Sequence, residues 1–402
     1  MSENNYEEFE EQEQLPERTR RLKSGIKFTR VLLLLIMVVT AVVLLFANKD
    51  KLSADNFKRL AAKIDLGVST NSEVDSAVID FDYNSTGKVK TYKDGIARVT
   101  DDNLVIMDNI GTQFQSVLTG MNSPQILSGS RYVCVFDRGG RRLMVCDSFT
   151  VLFDYSFDDN IVDVSMNANG YLVVVTESES YKNHCIVFDS SFKEIYKINS
   201  LNRYIVTADI SPDNKYIILS SLYAKDADVI PQANCYRLDK KEPVWSVDYD
   251  GSVAVDVKIK NDGTASLLFE WGVSVLNSKG KEKYRYEFGD DILQNYHFGN
   301  GKYNVVVTSA SQSGYSFVTV FDSNGKQISD TQFDRAVISV DQLGDRLAVL
   351  TTDTVYLYDV NGKLISQLEN TDDGSTVLFS DKNSLVTVGA ARAVYNKMNR
   401  KG

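Results

Sequence analysis

The chain has 402 residues, of which 43% are hydrophobic and 10% aromatic; this is more than one ordinary core needs, so several folding units or one repeat architecture are expected. Its formal net charge of −10 leaves no concentrated basic surface for phosphates and excludes nucleic acid as a partner class. Five prolines exclude long Pro-rich linkers, and the four cysteines show no Cys-x-x-Cys spacing, which excludes a common zinc or redox motif.

Residues 1–30 form an acidic and then basic tail. Glu3, Glu7, Glu8, Glu10, Glu11, Glu13 and Glu17 make a solvated leader, followed by Arg18, Arg20, Arg21, Lys23, Lys27 and Arg30. Residues 31–47 read VLLLLIMVVTAVVLLFA, an apolar run at the short end of the roughly 17–25 residues that cross a bilayer. The basic residues ahead of the run outweigh Lys49 and Lys51 behind it, so the expected topology is a cytoplasmic N-terminus and an exported C-terminal body. An uncleaved anchor is preferred to a cleaved signal peptide. Leu45 and Leu52 stand where a cleavage site needs small residues, and the run exceeds the usual h-region of about 7–15 residues.

Residues 48–75 form a juxtamembrane linker with a short amphipathic helix. Ser53 is its cap, Asp55 lies in the first turn, and Phe57, Leu60, Ala61 and Ile64 share one face before Gly67. Residues 76–396 then repeat one supersecondary unit, and residues 397–402 are a tail. The phrase TVYLYDVNGK at 354–363 pairs a strand with a tight turn. Related phrases end on Asp108, Asp147, Asp189, Asp239, Asn277 and Asp322, spaced about 37 to 50 residues apart, the period of four-stranded propeller blades. Half a period earlier stand Gly-, Asn- and Asp-rich turns such as NANG at 167–170 and SPDN at 211–214. The expected fold is therefore all-β, a β-propeller of about eight blades, with seven as runner-up. Blades begin near Lys88, Ser123, Ile161, Arg203, Val253, Ile292 and Val337. The last set, from Thr376 to Tyr395, lacks an outer strand that residues 76–81 (SAVIDF) would supply, closing the ring.

The SPDN turn and the FDSNGK turn at 321–326 resemble those of WD40-like and PQQ-like bacterial propellers. The anchor, the helix over 53–64 and the opening YKDGIARV at 92–99 together resemble an uncharacterised family of membrane-anchored propellers from Gram-positive bacteria. That resemblance spans nearly the whole chain after Lys23 and implies no assigned activity. The Trp-Asp ending of WD40 blades and the motifs of quinone-binding dehydrogenases are missing, so no site residues transfer from either group.

No catalytic set, cofactor site or metal site is read from the residues. His184, expected to begin an outer strand, and His297, expected to end an inner one, lie about three blades apart in the repeat count. Asp80, Asp82 and Asn84 mimic a calcium loop, but Ser85 and Thr91 stand where that loop needs Gly and Glu. Cys134 and Cys146 flank a turn where a cross-strand disulfide competes with the preferred reading of buried small hydrophobes. Propeller connectivity would place Lys193, Lys215, Lys240, Lys241, Lys260, Lys279, Lys281, Lys302, Lys326, Lys363 and Lys382 on one face. The opposite face would be acidic, with Asp158, Asp159, Asp290, Asp291, Asp372 and Asp373 as candidate binding residues, interrupted by Arg138, Arg141 and Arg142. The expected function is a non-enzymatic interaction or scaffold module outside the cytoplasm at the cell envelope. Its partners would be a protein there and, through the transmembrane helix, membrane lipid. A carboxylate-dependent glycan hydrolase or lyase and an external ligand sensor are the alternatives.

Overall fold

In the computed structural model, residues 35–37, 39–40, 54–65, 75–81, 87–299, 301–310, 314–370 and 373–398 are described. Residues 35–37 and 39–40 are helical, and most of the expected span lies outside the described residues. Among those described, no helix is long and apolar enough to cross a membrane. The amphipathic segment forms helix α1 (Ala54–Asp65), with Asp55 in its first turn near the positive end of the helix dipole.

From Ser76 onward the chain forms eight four-stranded antiparallel sheets. Seven are built from consecutive strands: blade 1 (88–118), blade 2 (124–156), blade 3 (161–200), blade 4 (203–248), blade 5 (256–287), blade 6 (292–333) and blade 7 (337–369). Blade 8 takes three strands from 376–397 and its outermost from Ser76–Asp80, paired from Ser76↔Asn396 to Asp80↔Arg392. The count is eight, not seven, and closure by the N-terminal strand is as expected. The blade starts agree to within a residue except for blade 5, which begins at Asp256 rather than Val253.

The hydrophobic core is distributed between the blades. Eight buried clusters each join one adjacent pair, the last joining Ile79, Leu378 and Val386 of blade 8 to Val89 and Ile96 of blade 1. Second strands, flanked on both faces, are buried along most of their length, Ala265–Phe269 at every residue, whereas outermost strands such as Glu282–Glu287 alternate with solvent.

Local chemistry explains the repeated turn phrase. Oδ1 of Asp108, Asp189, Asn277, Asp322 and Asp359 each accepts the backbone N–H groups two and four residues on. The turn then needs a left-handed residue, supplied by Gly325 at φ 86°. A Cβ there would stand 2.2 Å from Cβ of Tyr284 on the neighbouring blade, so glycine also allows the close approach.

Two readings of the cysteines and histidines are resolved by register. Cys134 lies opposite Val145, and Cys146 opposite Val133. This one-residue offset sends the two thiols to opposite faces of the sheet, into the blade 2–3 and blade 1–2 cores, so both are free and buried, as are Cys185 and Cys235. His184 sits on the third strand of blade 3 (Asn183–Phe188), paired on both sides, and is not on the outer edge.

Candidate functional site: the charged axial channel

The innermost strands of all eight blades line one cavity of about 1070 Å³ on the propeller axis. Period-two alternation turns every second side chain of an inner strand toward this axis. The residues so placed are polar pairs: Lys88 and Lys90, Asp163 and Ser165, Thr207 and Asp209, Asp256 and Lys258.

Three carboxylates join neighbouring blades. Asp163 Oδ2 accepts from Thr207 Oγ1 at 2.7 Å and from the Ala208 N–H at 3.3 Å. Asp209 accepts from Ser165 Oγ at 2.5 Å, Lys258 Nζ at 2.9 Å and the Ile259 N–H at 2.8 Å. Asp341 accepts from the Phe379 N–H at 2.7 Å and meets His297 Nδ1 at 2.9 Å. Each takes a backbone N–H of the next blade's inner strand, a charge-assisted bond that fixes blade spacing at the axis.

The electrostatics are strained on the blade 3–5 arc. Burial pushes the Asp256 carboxyl up to about 6, with Asp209 and Asp163 adding repulsion and Lys258 opposing it. Burial likewise raises Asp163 against the bonds from Thr207 and Ala208. Burial also raises the Tyr296 phenol, reinforced by the charge of Asp256 and a hydrogen bond to it. Burial works against the Lys258 ammonium, but Asp209, Asp256 and Asp163 together hold it above its usual value. Asp163, Asp256 and Lys258 are half-buried where they face the cavity, and Tyr296 is exposed to it. On the blade 1–2 arc stand Lys88, Lys90, Arg98, which lies 4.4 Å over the Phe81 ring, and Arg138. Burial lowers Lys88, and Arg138 adds to the shift.

The residues singled out from sequence are more dispersed. Asp158 and Asp159 lie on the connector between blades 2 and 3, and Asp290 and Asp291 on that between blades 5 and 6, three blades away around the ring. Asp373, on the connector into blade 8, is the member of the set that lines the axial cavity; Asp372 lies outside the described residues, as do Asp82 and Asn84 of the calcium-like stretch. All described members share the loop face, but the fold does not converge them on one point. The opposite face carries the turn lysines with one correction. Lys260 is 1% exposed, and its Nζ donates to the carbonyls of Gly299 at 2.5 Å and Tyr303 at 3.1 Å, so it joins blades 5 and 6 and adds no surface charge. Among the described residues, no group of three or more His, Cys, Asp or Glu is arranged to hold a metal.

The loop face also carries apolar side chains. Leu201, Tyr204, Val229, Val255 and Ile292, at the connectors and hairpin tip of blades 4 to 6, are each 54–66% exposed. Val229 stands on a hairpin whose strands, Tyr216–Lys225 and Asp228–Arg237, are ten residues each and outreach their neighbours.

Residues 68–393 of the chain match a family model described as a family of unknown function, DUF5711. The chain belongs to the DUF5711 family. No curated protein matches this DUF5711 chain by sequence. Its fold is similar to that of Chaetomium thermophilum Sqt1 bound to the N-terminus of the ribosomal protein L10, at 13% identity and TM-score 0.56, covering 81% of this chain and 100% of that one. It is also similar to the C-terminal WD40 domain of Sif2, at 10% identity and TM-score 0.54, covering 81% and 96%. BamB from Moraxella catarrhalis is similar at 12% identity and TM-score 0.49, covering 81% and 99%. At these identities the likeness is one of fold.

Proposed function

We propose that this DUF5711 chain is a non-enzymatic interaction scaffold at the cell envelope. In this reading the segment 31–47 anchors it in the membrane, the N-terminal tail is cytoplasmic, and the propeller stands outside. The loop face receives a protein partner whose contacting segment is apolar and basic. The observation that carries the reading is the combination, on one face, of five exposed apolar side chains with the acidic connectors around them. Propellers present such loop faces on a rigid ring, and Sqt1, which shares the fold, is seen holding the N-terminus of another protein.

The test is affinity capture of the full-length chain from solubilised membranes, alongside the variant Leu201→Asp/Val229→Asp. Both positions are exposed, so the variant keeps its fold, checked by circular dichroism. A stoichiometric partner that is lost from the variant and released by high salt supports the reading. A partner held equally by the variant, or glycan turnover in place of a partner, overturns it. Orientation is read separately from an epitope placed after Gly402, which antibody must reach on intact spheroplasts.

A further inference from the structure

The axial cavity shows a division of charge that the blade-joining hydrogen bonds do not explain. None of Lys88, Lys90 and Arg138 forms an ion pair with a described residue, and neither Asp163 nor Asp256 does. Lys258, the cation nearest the acidic arc, is already engaged by Asp209. These cations stand on blades 1 and 2 and these two carboxylates on blades 3 and 5, with no ion pair between the sets; the charge of Arg138 favours the Asp163 carboxylate and that of Lys258 the Asp256 carboxylate, so neutralisation across the cavity is only partial. Burial is the larger cause of both shifts, and within each set like charge adds to it: Arg138 depresses Lys88 against Asp101, and Asp209 and Asp163 raise Asp256 against Lys258. Such repulsion lowers stability in the empty ring and is relieved by a ligand that brings opposite charge to both arcs at once.

We infer that the axial cavity binds a zwitterion of the peptide type, its ammonium between Asp163 and Asp256 and its carboxylate against Lys88, Lys90 and Arg138. The acidic arc is rich in hydrogen-bonding groups, including the Tyr296 hydroxyl, Thr207 and Ser165, which suits a primary ammonium with its three donors. A quaternary ammonium would instead call for an aromatic cage. The Arg138 guanidinium and the two ammonium groups match a carboxylate. The volume, about 1070 Å³, lies at the upper end of small-ligand sites and leaves room for a short peptide. This site meets the loop-face contact only at Val255, which borders the cavity beside Asp256, and small-ligand binding is read separately from partner capture, so its success or failure is independent of the scaffold reading.

The test is titration calorimetry of the full-length protein in detergent with three probes: trialanine, trialanine amide, and N-acetyl-trialanine. Trialanine should bind, and each cap should weaken binding by about tenfold or more, since each removes one charge-assisted contact. Lys88→Met should reduce only the preference for the free carboxylate, since Lys90 and Arg138 remain, and Asp256→Asn only the preference for the free ammonium, since Asp163 remains. Lys88→Met touches no blade-joining bond, Asp256→Asn keeps an amide oxygen to accept from the Tyr296 hydroxyl of blade 6, and Lys88→Gln replaces Lys88→Met if the latter fails to fold. Absence of binding by trialanine at about 20 mM, well above a weak millimolar Kd, overturns the inference. Equal binding of a capped probe, which would mean a site for one ion only, overturns it too, as do variants that leave both preferences unchanged.

Discussion

Lys260 carries the most direct test of the packing. Its side chain is 1% exposed and spans from blade 5 to the Gly299 and Tyr303 carbonyls of blade 6. Burial pushes its ammonium down to about 7; Lys258 adds to the shift, and Asp209, Asp262 and Asp256 oppose it in part. In the unfolded chain a lysine titrates near ~10.4, so between pH ~7 and ~10.4 the unfolded state binds the extra proton. Stability should therefore rise with pH across that window, by up to ~1.4 kcal/mol per pH unit, and the contribution should be flat below it. The ring from Ser76 to Lys397 spans 322 residues (397 − 76 + 1). At ~2.1 cal/mol/K per residue its unfolding entropy is ~0.7 kcal/mol/K, so the slope corresponds to ~2 °C in Tm per pH unit. Differential scanning calorimetry of the wild type and Lys260→Met, from about pH 7.5 to 9.5, should show the wild type gaining ~4 °C relative to the variant. The variant starts from a different Tm because two carbonyls lose their donor, but that offset is independent of pH. Other titrating groups, the buried thiols included, cancel in the difference. Parallel profiles would refute the assignment of a depressed lysine at this interface.

Ile79 is 4% exposed in the cluster that closes blade 8 on blade 1, so Ile79→Ala should cost about 2–5 kcal/mol in urea denaturation and promote association through the loosened edge. A loss below about 1 kcal/mol would mean that the N-terminal strand does not close the ring. Gly325→Ala meets both a positive φ and the Tyr284 side chain, and should lose about 1–3 kcal/mol. Gly139→Ala, at φ 81° with nothing within 4 Å of the added Cβ, should lose about 1 kcal/mol, and the same melts compare the two. The four cysteines are buried, with Cys146, Cys185 and Cys235 pushed up to about 12, chiefly by burial. Ellman's reagent should leave all four untouched until the chain unfolds, and reductant should not change the native melt; rapid labelling of any one would contradict the packing.

Much of the architecture was legible because its causes are local. An Asp or Asn whose Oδ1 reaches N–H groups two and four residues on writes the turn into five consecutive positions, and period-two alternation marks the strands between. The missing outer strand of the last set also pointed to residues 76–81, because an unpaired sheet edge needs a partner and that run was the one left over. The axial site left a weaker trace: inner strands carry polar residues two apart, such as Asp163 with Ser165 and Asp256 with Lys258, where a buried strand would be apolar. The acidic connectors are the more conspicuous feature of the sequence, and they share a face but not a point.

What the amino-acid order determined by itself was the repeat, the strand edges and the turn chemistry, all set by hydrogen bonds and side-chain alternation within a few residues. Tertiary structure decided which charges meet. Asp209 finds Ile259 fifty residues on, and Lys260 finds Gly299 across 39 residues and Tyr303 across 43. The facing of Cys134 and Cys146 likewise turned on a one-residue register between strands. Such outcomes depend on the ring closing at eight blades, because the curvature of the whole sheet array, rather than any single segment, sets how close the inner strands come to the axis.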